Sequence, residues 1–267
     1  MEILTNDLIY NHKVLNYMRS RPHFSMKHVH NTCELIFFEH GDAHYIVESR
    51  RYHLRNNDLI ITLPGSYHYI EIKGNVEYSR YNVAFNPALL GNILNLVPKN
   101  LDVLNCPNGG VIAENFRRMD YYSQCLNETD FQEVLLCLLK EIFYNIPLES
   151  ADNADVPSAL HPIIIRSLEY INQNLFTIKD VPSLCQDLNI SESYFFKLFS
   201  DQVKVSPMKY INLKRLQNAQ KLIQDGHKPS KIYLDCGFGS YVGFYKQYIK
   251  VFNRSPSKES IKPKSHR

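Results

Sequence analysis

A repeat in the last third of the chain constrains the fold more than any other feature of the sequence. The run from Ser191 to Pro207 returns 49 residues later as the run from Ser240 to Pro256. Each copy opens with a serine and closes with a Ser-Pro pair, and the residues between them match as Phe195 and Phe244, Lys197 and Lys246, and Phe199 and Tyr248. Two copies of one serine-started, lysine-bearing helix predict two tandem helix-turn-helix units and therefore a DNA-binding chain.

The charge distribution agrees with a polyanion contact at one end of the chain. Residues 158–267 contain 17 Lys and Arg against 8 Asp and Glu, whereas the preceding part contains 13 against 19. The N-terminus lacks the basic start and apolar core of a secretory signal, and no apolar run approaches the roughly 20 residues of a membrane span. We therefore expect a cytoplasmic protein that makes no membrane contact and binds double-stranded DNA through its basic part.

The first half of the chain has a different periodicity. From about residue 25 to residue 85, short β-branched and aromatic runs alternate with turn residues at about ten-residue spacing, which indicates a small antiparallel barrel or sandwich. Two helices are expected next, from Ile112 to Leu126 and from Asp130 to Asn145. The second has a wide apolar face from Phe131 to Phe143, and this face either forms a dimer seam or packs against the barrel.

The predicted fold class is therefore α+β with two domains. The N-terminal domain spans residues 1–146 and combines a β-barrel with a helical dimerisation pair. Residues 147–158 are polar, acidic and flanked by prolines, so they predict a linker. Residues 159–267 form an all-α domain with the two helix-turn-helix units.

Capping residues define the helices of the first unit. Asp180 is expected to cap the first helix, with Pro182 in its first turn, and Asn189 tolerates the left-handed conformation that the following turn needs. Ser193, Phe196 and Lys197 then fall on the outward face of the second helix. A long helix from Met208 to Gln224 follows, and Arg215 is expected to contact phosphates there together with neighbouring lysines.

These motifs together resemble the C-terminal DNA-binding domain of the AraC/XylS family over about 100 residues. The resemblance is carried by Ser191-x-x-Tyr194-Phe195-x-Lys197-x-Phe199, Ser206-Pro207-x-x-Tyr210, Arg215-x-x-x-Ala219, Gly237-Phe238 and Ser255-Pro256. It implies that two recognition helices enter successive major-groove segments on one face of the DNA. It also implies that Ser193, Phe196 and Lys197 of the first helix, and Tyr241, Val242, Tyr245 and Lys246 of the second, face the bases.

The sequence departs from the family pattern at three positions. Lys204 and Asn253 stand where glycine is usual before the Ser-Pro pair, and lysine adopts a positive φ at a cost. Tyr233 stands where a small residue is usual in the first helix of the second unit. The second unit is therefore expected to read bases weakly or to grip mainly phosphates.

The N-terminal domain carries residues that resemble the two cupin motifs. His28-Val29-His30, Glu34 and Gly41 match the first motif, and Pro64 to His68 match the second in part. On strands, His28, His30, Glu34 and His68 could gather inside the barrel. These four residues have three possible roles: anchors for a small effector, which the family resemblance favours, ligands of a metal ion, or structural histidines.

The sequence thus predicts a sequence-specific transcription regulator without a cofactor and without enzymatic activity. By family analogy it is an activator and a homodimer that contacts RNA polymerase, and a small effector, for which a saccharide is one candidate, controls it. One alternative is a metal-dependent cupin enzyme with a helical appendage. The other is a ligand-independent DNA-binding protein whose N-terminal domain only dimerises.

Overall fold

The computed structural model describes residues 3–4, 7–17, 23–24, 32–73, 76–98, 100–153 and 158–259. The chain divides into two units, Met1–Ser158 and Ala159–Arg267. The first contains the strands and two long helices, and the second is helical. The predicted α+β fold class, with a β domain followed by an all-α domain, is confirmed.

Two sheets build the first unit. One has the order β1-β2-β9-β4-β7-β10 and the other the order β11-β6-β5-β8-β3. Antiparallel pairing joins β2 to β9, β9 to β4, β4 to β7 and β5 to β8. The strands are β1 Ile3–Leu4, β2 Leu8–Tyr17, β3 His23–Phe24, β4 Cys33–His40, β5 Ala43–Val47, β6 Arg50–His53, β7 Asp58–Thr62, β8 His68–Ile72, β9 Val76–Phe85, β10 Val103–Asn105 and β11 Ser158–Ala159.

The central strands β4 and β7 of the six-stranded sheet are buried on both faces, which explains why β4 reads as an almost continuous apolar run. Ile36 and Phe38 belong to an apolar cluster with Tyr45, Tyr52 and Ile70 of the other sheet, and this cluster is the interior between the two sheets. The alternate residues of β4, such as Leu35 and Phe37, belong to a second cluster on the opposite face. Side chains alternate in direction along a strand, so each face of β4 supports a separate core.

Helices α1 (Val111–Cys125) and α2 (Glu128–Asn153) cover that opposite face. The apolar face of α2 that was expected to form either a dimer seam or a packing surface is buried within the chain. Its side chains pack with the sheet through contacts such as Phe85 with Phe143, whose ring centroids are 5.9 Å apart. The packing alternative therefore accounts for this face, and a dimer would have to use other residues.

Helix α2 also corrects the predicted linker. The helix does not end before Pro147 but continues to Asn153, so the first seven residues of the predicted linker 147–158 belong to it. A proline inside a helix removes one amide donor, yet the chain beyond it can remain helical. Leu148, one residue beyond this proline, is 75% exposed.

The second unit contains six α-helices in its described residues. They are α3 Pro162–Gln173, α4 Val181–Leu188, α5 Glu192–Val203, α6 Pro207–Gln224, α7 Pro229–Ile232 and α8 Tyr241–Phe252. None of the helices in the described part of the chain is long and apolar enough to cross a membrane.

Candidate functional site

The first helix-turn-helix unit, formed by α4 and α5 and called the first head below, has the predicted local structure. The carboxylate of Asp180 accepts a hydrogen bond from the amide of Ser183 at 2.8 Å and caps α4. Asn189 ends α4 in the left-handed conformation, with φ 54°. Phe195 and Phe199 of α5 are buried, and the ring of Phe199 lies 5.7 Å from Tyr210 of α6. A short turn therefore fixes α5 against the rest of the unit.

The second head, formed by α7 and α8, repeats this framework with different contacts. Ser240 caps α8 by accepting a hydrogen bond from the amide of Gly243 at 3.2 Å. Phe244 and Tyr248 are buried, as Phe195 and Phe199 are in the first head. They join a cluster with Leu216 of α6 and Phe238. The repeat in sequence is thus a repeat in local structure.

The outward faces of α5 and α8 carry the residues that the family resemblance selects for DNA contact. On α5, Ser193 and Lys197 are exposed, and half of the surface of Phe196 is exposed. On α8, Val242 is 63% exposed and Tyr245 36%, Lys246 is exposed, and Tyr241 is half-buried. Each helix therefore presents an apolar side chain and a lysine to solvent.

Tyr194 is a further exposed aromatic residue of α5 that the sequence analysis did not select for DNA contact. It is 47% exposed and lies one turn before Lys197 on the helix. The signal that could have identified it is its spacing of three residues from Lys197, which places both side chains on one side of the helix. We include Tyr194 in the candidate face of the first head.

Lys204 and Asn253 adopt the backbone conformation that the family pattern assigns to glycine. Both end their helices with a positive φ, 63° at Lys204 and 53° at Asn253. The amide of each bonds the carbonyl oxygen four residues earlier, in Ser200 and Ile249 respectively. The Ser-Pro pair can follow in both copies because this left-handed residue ends the helix.

Helix α7 ends at Ile232, so Tyr233, which the family pattern places inside this helix, lies just beyond it. The ring of Tyr233, the first residue beyond it, lies 5.7 Å from the ring of Tyr241 on α8. The chain then turns until Gly237, where φ is +80°. The large side chain at position 233 is thus accommodated beside α8, just beyond the end of the helix.

The expectation that Arg215 contacts DNA phosphates is wrong. Its side chain is only 3% exposed. The guanidinium donates hydrogen bonds to two backbone carbonyl oxygens, from Nε to Leu175 at 2.8 Å and from Nη2 to Ile178 at 2.5 Å. Residue 215 lies on the face of α6 that points inward, so the side chain forms part of the interior. Lys209 and Lys221 of the same helix are exposed.

In the first unit, Glu34 and His68 lie together between the two sheets. His68 Nε2 is 3.0 Å from Glu34 Oε2, and both side chains are buried. His68 Nδ1 lies 2.9 Å from the carbonyl oxygen of Ser66, which can only accept, so this nitrogen carries a hydrogen. His28 and His30, the other two predicted anchors, lie outside the described residues.

Two asparagines near this pair were not selected from the sequence. Asn82 Nδ2 donates to Glu34 Oε1 at 2.8 Å, and Asn11 lies opposite Asn82 on the neighbouring strand. Both are at most 8% exposed, and the Oδ1 atom of each has no hydrogen-bond partner among the described residues. The bond to Glu34 orients the amide of Asn82, because a flipped amide would place two oxygens against each other. Two unpaired acceptors therefore lie beside the Glu34–His68 pair.

Other polar groups of the interior satisfy each other. The hydroxyl groups of Tyr45 and Thr62 are 2.7 Å apart. Tyr52 donates to Asp102 at 2.7 Å. Within the described residues, no group of three or more His, Cys, Asp or Glu side chains is arranged to hold a metal ion.

Comparison with known families assigns both units. The family model of an AraC-like ligand binding domain matches residues 17–159, more than half of the chain, and that of a helix-turn-helix domain matches residues 184–259. The chain belongs to the AraC family of transcriptional regulators. It combines an N-terminal ligand-binding domain with a DNA-binding helix-turn-helix domain.

Individual relatives are distant. The chain is 32% identical to the probable transcriptional regulator LumQ of Photobacterium leiognathi over 90 residues, which are 33% of this chain and 36% of that protein. It is 26% identical to an uncharacterized response regulatory protein of Staphylococcus epidermidis over 148 residues, 52% of this chain and 59% of the relative. The matches thus span between about a third and three fifths of these relatives' lengths. Unsaturated-fatty-acid-bound ToxT of Vibrio cholerae is 14% identical, with a TM-score of 0.44 over 97% of this chain and 96% of ToxT.

Proposed function

We propose that this AraC-type regulator activates transcription by reading DNA with both heads, under the control of a small effector bound between the two sheets. The observation that carries the proposal is the matched exposure of α5 and α8. In each helix a buried aromatic pair faces the core, while an apolar side chain and a lysine face solvent. Apolar side chains on a recognition helix can contact thymine methyl groups, and lysines can contact guanine edges or phosphates.

In the first head, Ser193, Phe196 and Lys197 are the proposed DNA contacts, with Tyr194 beside them. In the second head they are Tyr241, Val242, Tyr245 and Lys246. Tyr241 is partly covered by Tyr233, and Val242 is more exposed than Tyr245 in this second group. We therefore expect the first head to discriminate between bases more strongly than the second.

Selection from a library of randomised duplex DNA tests this proposal. The full-length protein should enrich sequences with two groups of preferred bases for each bound subunit. Phe196→Ala should abolish the preferences in one group and Val242→Ala those in the other. Lys179→Ala, an exposed lysine outside both faces, is the matched control and should leave both groups unchanged. Failure of the wild-type protein to enrich any sequence would overturn the proposal.

The proposed effector site contains Glu34 and His68, together with His28 and His30 from the sequence motif. The unpaired Oδ1 atoms of Asn11 and Asn82 support it, since a buried acceptor without a donor costs about 1–3 kcal/mol and a ligand could supply that donor. The effector would then present hydroxyl or amino groups, as a saccharide does. Binding would stabilise the arrangement of the protein that is competent for activation.

Thermal unfolding with matched probes tests the effector site. Neutral monosaccharides and polyols should raise the melting temperature, because a ligand that binds only the folded state stabilises it by mass action. Medium-chain carboxylates, which bring acceptors instead of donors, should not. Glu34→Gln should abolish the shift, whereas His53→Ala, an exposed histidine, should retain it. A shift produced only by carboxylates, or no shift by any probe, would contradict the proposed effector class.

We also propose a homodimer that contacts RNA polymerase. The exposed side chains of Tyr144 and Leu148, one turn apart on α2, support an association surface on the outer side of the helix pair. Leu148→Asp should convert the dimer into a monomer in analytical ultracentrifugation. A wild-type protein that is monomeric at all concentrations would contradict the dimer.

A further inference from the structure

The guanidinium of Arg215 lies at the point where the two heads approach each other. Leu175 and Ile178, whose carbonyl oxygens accept its hydrogen bonds, belong to the segment between α3 and α4. Ile178 stands two residues before Asp180, the cap of α4. Arg215 thus connects the middle of α6 directly to the start of the first head.

The same guanidinium contacts the second head. A Cβ atom added to Gly237 would lie 2.7 Å from Arg215 Nε and 2.8 Å from Arg215 Cζ, and 2.9 Å from the carbonyl oxygen of Phe176. Gly237 has φ +80° and stands three residues before Ser240, the cap of α8. The backbone at Gly237 therefore packs directly on the guanidinium, in a space that a larger residue would fill.

The environment of Arg215 is unusual for a buried charge. Burial lowers the pKa of its guanidinium, and no carboxylate forms an ion pair with it among the described residues. Its neighbour Cys236 stays a neutral thiol, because burial raises the pKa of that thiol to about 11. Burying an arginine without a counter-ion is costly, and here backbone carbonyls of a defined turn provide the compensation. The planar donor group fixes the distance and the direction of that turn relative to α6.

We infer that Arg215, packed between the 175–178 turn and Gly237, is a positioning residue that sets the spacing and rotation of the two heads. The inference rests on the proposed reading of DNA by both heads. Helix α6 contributes to both cores, through Tyr210 to the first head and through Leu216, Ala219 and Ile223 to the second. Arg215 lies between these two groups, and its side chain contacts both the segment that leads into α4 and the segment that leads into α8. If the two heads are held rigidly, the two DNA half-sites that they bind must lie at one fixed distance from each other.

A protein with rigidly held heads should bind weakly to DNA in which the distance between the two half-sites has been changed. Two heads that enter successive major-groove segments need half-sites about one helical turn, or about 10 base pairs, apart. One inserted base pair moves the second half-site by about 3.4 Å along the DNA axis and rotates it around that axis. A rigid protein cannot follow this displacement, whereas a protein with a loosened joint can.

The test uses the full-length protein and the sequence enriched from randomised duplex DNA. Phe196→Ala and Val242→Ala identify the bases read by each head within one subunit, so that a second copy of the chain cannot be mistaken for the second head. Binding is then measured on this sequence and on versions with one base pair inserted or removed between the two groups. Wild-type protein should bind the altered versions about tenfold or more weakly.

Arg215→Lys retains the charge but cannot make the two-pronged contact, and it should bind the original and altered sequences with nearly equal affinity. Gly237→Ala retains the guanidinium but displaces it, and it should have the same effect. Circular dichroism and thermal unfolding establish that each variant is folded, and Gly237→Ala decides the question if Arg215→Lys does not fold. Lys209→Ala, on the same helix but exposed, should weaken binding to all versions while keeping the spacing preference.

Folded variants that keep the full wild-type spacing preference would overturn the inference. Wild-type protein that binds all spacings equally would also overturn it, although reading of bases by both heads would stand. Wild-type protein that enriches no sequence would instead refute the proposed function itself. The three results are distinguishable because spacing preference and sequence preference are measured separately.

Discussion

The two heads share a framework but support it differently. In both, a serine precedes the recognition helix, a pair of aromatic residues is buried, and a left-handed residue ends the helix. The helix before the turn has eight residues in the first head and four in the second. The comparison shows that the repeat specifies the recognition helix, while the partner helix is free to change.

The different lengths of α4 and α7 accompany different aromatic contacts in the two heads. In the first head, Phe195 and Phe199 form an edge-to-face pair that continues to Tyr210. In the second, Phe244 contacts both Phe238 and Tyr248, and so connects the turn to the helix. The short α7 contributes Ile232 to the core of its head, and aromatic residues of the turn and of α8 pack with α6 in the same core.

The largest effect is expected from removing the matched buried phenylalanines. Phe195→Ala and Phe244→Ala should each destabilise the helical unit by about 3–5 kcal/mol, because both rings are fully buried. Urea unfolding followed by circular dichroism measures the difference. The comparison predicts similar losses for the two variants. A loss below about 1 kcal/mol for Phe244→Ala alone would mean that the second head is not an integrated part of the unit.

The framework of both heads could be predicted from the sequence because its signals are local. Asp180 and Ser240 cap helices where their positions indicate, Ser191 stands at the start of α5 without a capping hydrogen bond from its side chain, and Asn189 adopts the left-handed conformation expected of it. The burial of Arg215 could not be predicted in this way. Its partners, the carbonyl oxygens of Leu175 and Ile178, are 40 and 37 residues away in sequence and carry no signal in their side chains.

Lys197 and Lys246 occupy matching positions in the two heads, so their variants compare how the two heads bind DNA. Lys197→Ala should weaken binding to the preferred DNA sequence by about 1–3 kcal/mol. It should also relax the base preference at the positions that the first head contacts. Lys246→Ala should weaken binding about equally on all sequences and reduce the salt dependence by about one unit. Fluorescence anisotropy at several salt concentrations separates the two effects. A specific loss in both variants would show that Tyr233 does not weaken base reading by the second head.

The barrel was less predictable than the heads. The apolar strands from Cys33 to Phe85 were expected, but β2 and β6 were not, because β2 alternates apolar residues with Asn11 and Lys13, and β6 is rich in arginine and histidine. Such polar residues resemble those of a solvated loop when only the sequence is seen. Glu34 and His68 were found through a motif, whereas Asn11 and Asn82 emerge only from strand register.

A smaller effect is expected at Tyr233, the residue that most distinguishes the second head. Tyr233→Ala removes a ring contact with Tyr241 and should destabilise the second head by about 0.5–1.5 kcal/mol. Hydrogen exchange should speed up at the amides of α8 and remain unchanged at those of α5. Equal acceleration in both heads would mean that they unfold as one cooperative body, so that the comparison between them applies to structure but not to stability.

The smallest effect concerns the cap of the first head, which titrates, whereas the corresponding position in the second head, Lys228, makes no side-chain cap. The hydrogen bond from the Ser183 amide lowers the pKa of Asp180. A carboxyl group whose pKa is lowered by folding stabilises the folded state above the unfolded pKa of about 3.9, and this contribution is lost as the pH falls through the lower folded value.

Asparagine caps a helix about as well as aspartate but does not titrate. The advantage of wild-type protein over Asp180→Asn in melting temperature should therefore be present at pH 7 and shrink towards pH 3, since all other carboxyl groups are common to both proteins. An advantage that stays constant between these pH values would show that the charge of Asp180 does not contribute to the cap.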